Sequence, residues 1–403
     1  MIRTNKYRNN QKIIEIGNTF WNETEKNGLA GIVVNFDKNS TLISTDGHSF
    51  INVSCCSYLG LDSHPEVIYG AIEALQKYGV LDYCITRIRI QLPILLELEA
   101  SLSDLFRSKV ITAISASAAT AGLLPLLASG HLTNSDPVVM IFDKFCHFSM
   151  NLFKPVCADE TLVLTCKHND LNFIEETCKK YEKVAYISDG TYSMGGHVPI
   201  KELLYLQDKY GLFLYLDDSH SLSIFGKYGE GYVRSLIDEV NNNTIIVATL
   251  NKAFGASGAA IMLGPKKYEK IVERFGGPLA WSQPMNIAAI GGALASAKIH
   301  RTHELHLRQE RLQHNIRLFD SKILTEQSGN KFPIKLVRID DTSKVIECAR
   351  YLFQNGFYTS PVFFPIVERN KAGLRIMLSA NHDTEDIQKL CYLIKDSRND
   401  LSL

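Results

Sequence analysis

The stretch Thr244–Leu263, TIIVATLNKAFGASGAAIML, sets the reading of the whole chain. It opens with a continuous apolar run, passes through one lysine, Lys252, and a row of tiny residues, and closes with a second apolar run. A short run that is apolar throughout suits a strand covered on both faces, as in a parallel sheet. A lysine ordinarily sits on a solvated face. Here it follows a strand and precedes Gly255, Ala256, Ser257, Gly258 and Ala259. One reading is a strand end that meets water. The other is an amine held where backbone must come close to a cofactor.

Similar runs recur at Val138–Phe142, Val184–Ser188 and Leu212–Leu216. Between them lie stretches with helical spacing, such as Asn172–Lys183 and Ile200–Gly211. Strands alternating with helices predict an α/β domain with a mostly parallel sheet. From about Asn286 the pattern changes to long helix. PIKLVRI, a helical TSKVIECARYLFQNG and LRIMLSA then suggest a smaller α+β domain. The expected division is an N-terminal segment over 1–50 that packs on the small domain, a large domain over 51–285 and a C-terminal small domain over 286–403.

With 403 residues the chain has room for a large core in two domains. Lys+Arg and Asp+Glu are equal at 43 each, so there is no basic excess of the kind that marks a nucleic-acid binder. The 9 cysteines are an odd number without a CxxC pair, which reads as free thiols in a reducing cytosol rather than a disulfide framework. Neither an HExxH motif nor paired cysteines at ligand spacing suggest a metal. The N-terminus has positive charge but no apolar segment after it, so no secretory signal is read there. Ile114–Gly130 is apolar but rich in Ala, Ser and Gly, holds Pro125, and falls short of the about 20 strongly apolar residues of a span. A soluble, cytoplasmic protein is the expectation.

In open α/β sheets, ligands bind beyond the carboxyl ends of the strands. Polar groups gather there: Asp143 and His147; Asp189, Tyr192 and Ser193; Asp217, Asp218 and His220; then Lys252. Asp143 reads as a cap rather than a catalyst. A lysine amine forms a Schiff base with an aldehyde, and pyridoxal phosphate (PLP) is the usual aldehyde. PLP needs a carboxylate at its ring nitrogen, backbone N–H groups for its phosphate, and a flat side chain against its ring. Asp217, the small-residue run SASAATAG (Ser115–Gly122) and His147 supply those parts. The glycines of GKYGEG lack the strand-to-helix setting of a nucleotide loop.

DDSHSLSIFGKYGEG (Asp217–Gly231) resembles the D-E-A-H-S-x-G motif and following glycines of the α-oxoamine synthases. ATLNKAFG (Ala248–Gly255), SYLGLDSHPEV (Ser57–Val67), DGTYSMGGHVPI (Asp189–Ile200) and LRIMLSANHDTEDI (Leu374–Ile387) resemble four more of that family's motifs. The five are collinear over most of the chain. The resemblance implies a fold-type I PLP-dependent transferase, with a mostly parallel seven-stranded sheet in the large domain. It implies decarboxylative condensation of an amino acid with an acyl thioester, on coenzyme A or a carrier protein, to an α-aminoketone.

Roles follow by resemblance. Lys252 holds the cofactor and moves the substrate's α-proton. Asp217 pairs with the pyridinium nitrogen, and His220 contacts the cofactor's phenolic oxygen or the acyl group. His147 stacks on the ring and Ser193 lies beside it. Thr249 binds the phosphate with the N–H groups of Ala116 and Ser117. Arg375 grips the substrate carboxylate. Arg87 matches the arginine of a glycine-rich substrate segment, and Ser57 stands where the family has the asparagine of N-Y-L-G-L. Ser282 reaches the phosphate of a neighbouring subunit, since the family's active sites are shared within a homodimer.

Departures fall in the small-residue run at the phosphate and in the substrate segments. Ser115-Ala116-Ser117 replaces S-G-aromatic, Ser223 replaces a glycine after His220, and the glycines and histidine expected between Gly79 and Glu99 are absent. Cofactor chemistry reads as kept, with altered substrate pockets. A specialised product such as a long-chain α-aminoketone, or the α-hydroxyketone signal precursor of autoinducer synthases, fits that pattern. Other readings are a fold-type I aminotransferase, a non-catalytic partner subunit and a binding protein on the same scaffold.

Overall fold

A computed structural model describes residues 6–7, 9–37, 40–133, 137–265 and 268–400. The chain divides into two compact units. The larger comprises Leu61–Ser193 and His197–Leu307; the smaller comprises Met1–Gly60, Met194–Gly196 and Arg308–Leu403.

The larger unit is built on a seven-stranded sheet. Its order is Lys109–Ala113, Ala259–Leu263, Thr244–Thr249, Phe213–Asp217, Val184–Asp189, Val139–Asp143 and Val163–Cys166. Ala259–Leu263 runs antiparallel to both of its neighbours, and the pairings beyond Thr244–Thr249 are all parallel. The central strands are buried at nearly every position, which is why their sequences are continuously apolar. Amphipathic crossover helices such as Leu171–Lys180 and Ile200–Tyr210 turn Ile174, Leu203 and Leu206 into the core.

The reversal between Thr244–Thr249 and Ala259–Leu263 explains the tiny residues after Lys252. The connecting loop folds on itself: Leu250 N–H donates to Gly258 O and Gly255 N–H to Lys252 O, each at 2.9 Å. Gly255 has φ +75°, and a Cβ there would run into the backbone of Leu61 and Asp62. A Cβ on Gly258, at φ +101°, would lie 2.6 Å from Met285 Sδ and 2.9 Å from Ala113 O. At these two positions the close approach that demands glycine is between protein segments.

In the smaller unit a four-stranded sheet joins Val34–Phe36, Thr41–Ser44 and Ser49–Asn52 to Phe357–Tyr358. A three-stranded antiparallel sheet places Ala372–Met377 between Ile334–Asp340 and Ser360–Val362. The helix Thr342–Gln354 buries Val345, Ile346, Ala349 and Leu352, at the spacing of one helical stripe. Among the described residues, no helix is long and apolar enough to cross a membrane.

Candidate active site

Within the larger unit, Asp217 is the last residue of its strand and Asp189 pairs with it across the sheet. Both are 3% exposed. Asp217 Oδ1 accepts the N–H of Ser219 at 3.0 Å, and Ser219 Oγ accepts the N–H of Thr249 at 2.9 Å. Ser219, which sequence reasoning passed over, thus ties the Asp217 strand end to the strand that leads to Lys252. The only hint of it was its place between Asp217 and His220.

His220 follows in a tight turn and is buried. Its Nε2 lies 2.9 Å from Lys252 Nζ. Lys252 is half-buried, so its amine is neither freely solvated nor sealed off. His147 begins the short helix Phe148–Asn151, and its Nδ1 accepts the N–H of Ser149 at 3.2 Å. Its own N–H donates to Asp189 Oδ2 at 2.7 Å. His147 keeps an exposed face, but partial desolvation of its ring lowers its pKa; Asp217 opposes that shift and Lys252 adds to it. Burial, and then the charge of Asp217, push the Asp189 pKa well above the usual carboxylate range, against the His147 N–H and Lys252. His147, Asp189, Asp217 and Lys252 therefore share one electrostatic neighbourhood.

Ser115 caps the helix Ala116–Ala128, accepting the Ala118 N–H at 3.1 Å. The Ala119 N–H bonds Ser115 O, which leaves the N–H groups of Ala116 and Ser117 as the open first-turn donors. A helix start of this kind favours an anion. Thr249 Oγ1 lies 3.0 Å from Asn251 Oδ1 and 3.2 Å from Gly258 O, so the phosphate candidate also braces the lysine loop. Ser193 is half-buried in the turn beyond Asp189. Ser282 Oγ donates to Pro278 O at 2.8 Å, closing its own short helix.

Other strand-end groups face inward. Asp143 is fully buried and accepts N–H groups of Phe145 and Asn169 and the Tyr186 hydroxyl. Burial would raise its pKa, but the His168 contact and these N–H bonds hold it below the usual value. Asp218 accepts the Val233 N–H at 2.9 Å, and burial pushes its pKa up to about 7. Both brace loops.

Arg87 departs from the expectation of a substrate contact. It is 3% exposed, and its guanidinium forks onto Glu99 at 2.7 and 2.9 Å while reaching Glu273 at 2.7 Å. Burial opposes its charge, yet the two carboxylates raise its pKa overall. Glu99 in turn accepts the N–H and hydroxyl of Thr112. Arg87 is an internal strut. Arg87→Ala is expected to destabilise the fold by about 3 kcal/mol or more, because it strands the buried carboxylate of Glu99. Urea unfolding checks this; a loss below about 1 kcal/mol, the range of a surface ion pair, contradicts it.

The remaining two candidates lie in the smaller unit. Arg375 is half-buried on Ala372–Met377, opposite Leu336 on one side and Ser360 on the other. Ser57 sits in a turn whose carbonyl accepts the Gly60 N–H at 3.1 Å.

The donor set of the larger unit suits PLP: an amine beside an imidazole, a buried carboxylate, two open helix N–H groups and a second imidazole. Among the described residues, no group of three or more His, Cys, Asp and Glu is arranged to hold a metal ion.

Known proteins share this architecture. The chain is 29% identical over 354 residues to 8-amino-7-oxononanoate synthase of Thermoanaerobacter pseudethanolicus, covering 85% of this chain and 86% of that one. It is 28% identical over 384 residues to the same enzyme of Alkaliphilus metalliredigens, covering 91% and 92%. The structure of a serine palmitoyltransferase variant from S. paucimobilis, with a bound PLP–myriocin aldimine, superposes with TM-score 0.82 at 19% identity, over 97% of this chain and 99% of that one. The 8-amino-7-oxononanoate synthase of Francisella tularensis superposes with TM-score 0.72 at 19% identity, over 88% and 99%. At these identities the superpositions speak for the fold alone. The family described as aminotransferase class I and II matches residues 154–394, more than half of the chain, and the chain belongs to that family.

Proposed function

We propose that this chain is a PLP-dependent α-oxoamine synthase. It condenses an amino acid with an acyl thioester, on coenzyme A or a carrier protein, and releases carbon dioxide, free thiol and an α-aminoketone. The observation that carries the reading is the 2.9 Å contact between Lys252 Nζ and His220 Nε2, on the sheet rim where Asp217 ends its strand. Family membership and the similarity to 8-amino-7-oxononanoate synthases support it.

When bound, PLP supplies an electron sink for the pair left on the amino acid's α-carbon. Asp217, buried at the end of its strand, would be the carboxylate that faces the ring nitrogen. Lys252 would be the amine that holds the cofactor and would then carry the substrate's α-proton, with His220 orienting its Nζ. His220 is also placed to donate to the acyl oxygen as it gains charge. The Ala116 and Ser117 N–H groups and Thr249 would hold the phosphate, His147 would cover the ring, and Ser193 would lie at its side. Arg375 is the guanidinium assigned to the amino acid's carboxylate, and Ser57 is assigned a further substrate contact. Ser282 serves the phosphate of a second copy.

A homodimer with shared sites agrees with the large apolar side chains exposed on the larger unit, among them Leu81, Ile90, Phe148, Phe275 and Trp281. None of the nine cysteines is joined in a disulfide, in keeping with a reducing cytoplasm.

The test pairs single amino acids with acyl-CoAs of graded length. Equal amounts of thiol and carbon dioxide, released only when both substrates are present, are the expected result. Keto-acid formation from the amino acid without any thioester requirement would place the chain among aminotransferases instead.

A further inference from the structure

His300 occupies the C-terminal cap of the helix Ile287–Ile299 and is 1% exposed. Its Nδ1 lies 2.8 Å from Ser296 O, and its Nε2 lies 2.8 Å from Ser223 Oγ. A carbonyl oxygen can only accept, so Nδ1 carries the ring proton and Nε2 accepts from the Ser223 hydroxyl. The ring is neutral: burial lowers its pKa to about 4. Its face stacks on Phe254, with centroids 4.5 Å apart and planes at 29°. Ser296, one turn earlier, donates from Oγ to Phe254 O.

Those contacts land on both catalytic loops. Phe254 is two residues beyond Lys252, and Ser223 is three residues beyond His220. The loop at Ser223 is fitted to the imidazole. Ser223 has φ +70°, an uncommon conformation for a residue with a side chain, and its N–H donates to Gly229 O at 2.7 Å. A Cβ on Gly229 would lie 2.7 Å from His300 Cδ2. A glycine at 223 would adopt this backbone without strain. The chain instead keeps a hydroxyl there, and that hydroxyl meets the imidazole.

We propose that His300 is a positioning residue. Through Ser223 on one loop and Phe254 on the other, it fixes the separation of His220 and Lys252. It would act through these two neighbours rather than on the reacting atoms. The inference rests on the proposed chemistry only in what it expects of turnover.

The test uses the full-length, cofactor-free protein labelled with 15N-histidine, because His220 Nε2 reports its own contact with Lys252. Ser223→Ala removes one oxygen. Ser223→Gly removes the same oxygen while relieving the backbone. His300→Phe keeps a ring against Phe254 but loses both hydrogen bonds. In all three, the His220 ring signals are expected to move from their wild-type positions. In the cofactor-loaded enzyme, kcat is expected to fall roughly ten- to a hundredfold with KM within about twofold, as for a small misplacement of reacting groups. Ser223→Gly is decisive: a purely structural serine predicts equal or higher melting temperature and unchanged turnover. His220 signals that stay in place in folded variants, or a kcat within about twofold of wild type despite moved signals, would overturn the proposal. The resonance readout stands even where no amino acid and thioester pair is turned over, so the two proposals fail separately.

Discussion

Lys252→Ala is expected to lower product formation by about four orders of magnitude, the upper end for loss of a positioned acid–base group, because the covalent anchor goes with it. The loss should be chemical rather than structural. The loop that carries Lys252 is held by main-chain bonds from Leu250 to Gly258 and from Ala256 to Leu250, and by the Gly258 N–H to Asn251 Oδ1. None of these needs the Lys252 side chain. The N–H groups of Ala116 and Ser117, proposed to bind the phosphate, and the carboxylate of Asp217 also remain, so the variant should still take up PLP, but without a covalent link. Borohydride reduction followed by peptide mass spectrometry checks this directly. Wild type should retain the cofactor mass on the Lys252 peptide and the variant should not. A variant that turns over within tenfold of wild type would remove Lys252 from the chemistry.

Much of the larger unit can be read from hydrophobic pattern, and the exceptions have a physical cause. Strands Val139–Asp143, Val184–Asp189, Phe213–Asp217, Thr244–Thr249 and Ala259–Leu263 coincide with the five apolar runs apparent in the sequence. They are interior strands, covered on both faces. Lys109–Ala113 and Val163–Cys166 escape notice because they are the two edges of the sheet. One opens on a lysine, and the other exposes Thr165 in mid-strand. In the smaller unit, Phe357–Tyr358 is a two-residue strand paired with Ile51 and Asn52. Nothing local to either segment announces a pairing across three hundred residues.

The site was legible where one rule governed it, that ligand groups follow the carboxyl ends of strands. That rule gathers Asp217, His220, Lys252 and His147, but it cannot say which way a side chain turns. Asp143 and Asp218 stand at equivalent places and face their own loops. Arg87 has the look of a ligand in the sequence, yet its partners Glu99 and Glu273 lie 12 and 186 residues away. Ser219 left only its place between Asp217 and His220 as a hint, since its bond to Thr249 forms across 30 residues, and His300 meets Ser223 from 77 residues away, so spacing carries no trace of it.

Asp217→Asn isolates charge from shape. The side chain is buried, and its Oδ1 accepts the Ser219 N–H, a bond that an asparagine oxygen can keep. The link from Ser219 to Thr249 should survive as well, so the fold is expected to hold. What disappears is the carboxylate proposed to keep the cofactor's ring nitrogen protonated. Product formation is expected to fall about a thousandfold, which corresponds to about 4 kcal/mol of transition-state stabilisation. Ser193→Ala, which removes only a peripheral hydroxyl, should cost less than about tenfold. Residual activity in Asp217→Asn has an identifiable source. Asp189 lies on the neighbouring strand, and part of the upward shift of its pKa comes from the charge of Asp217. Removing that charge eases the ionisation of Asp189, with Lys252 and the His147 N–H favouring the carboxylate. Adding Asp189→Asn should therefore reduce the residual rate further, and by a larger factor than Asp189→Asn does in the wild-type background. Equal rates for Asp217→Asn and Ser193→Ala would remove Asp217 from the ring nitrogen. A double variant no slower than Asp217→Asn would show that Asp189 supplies no substitute charge.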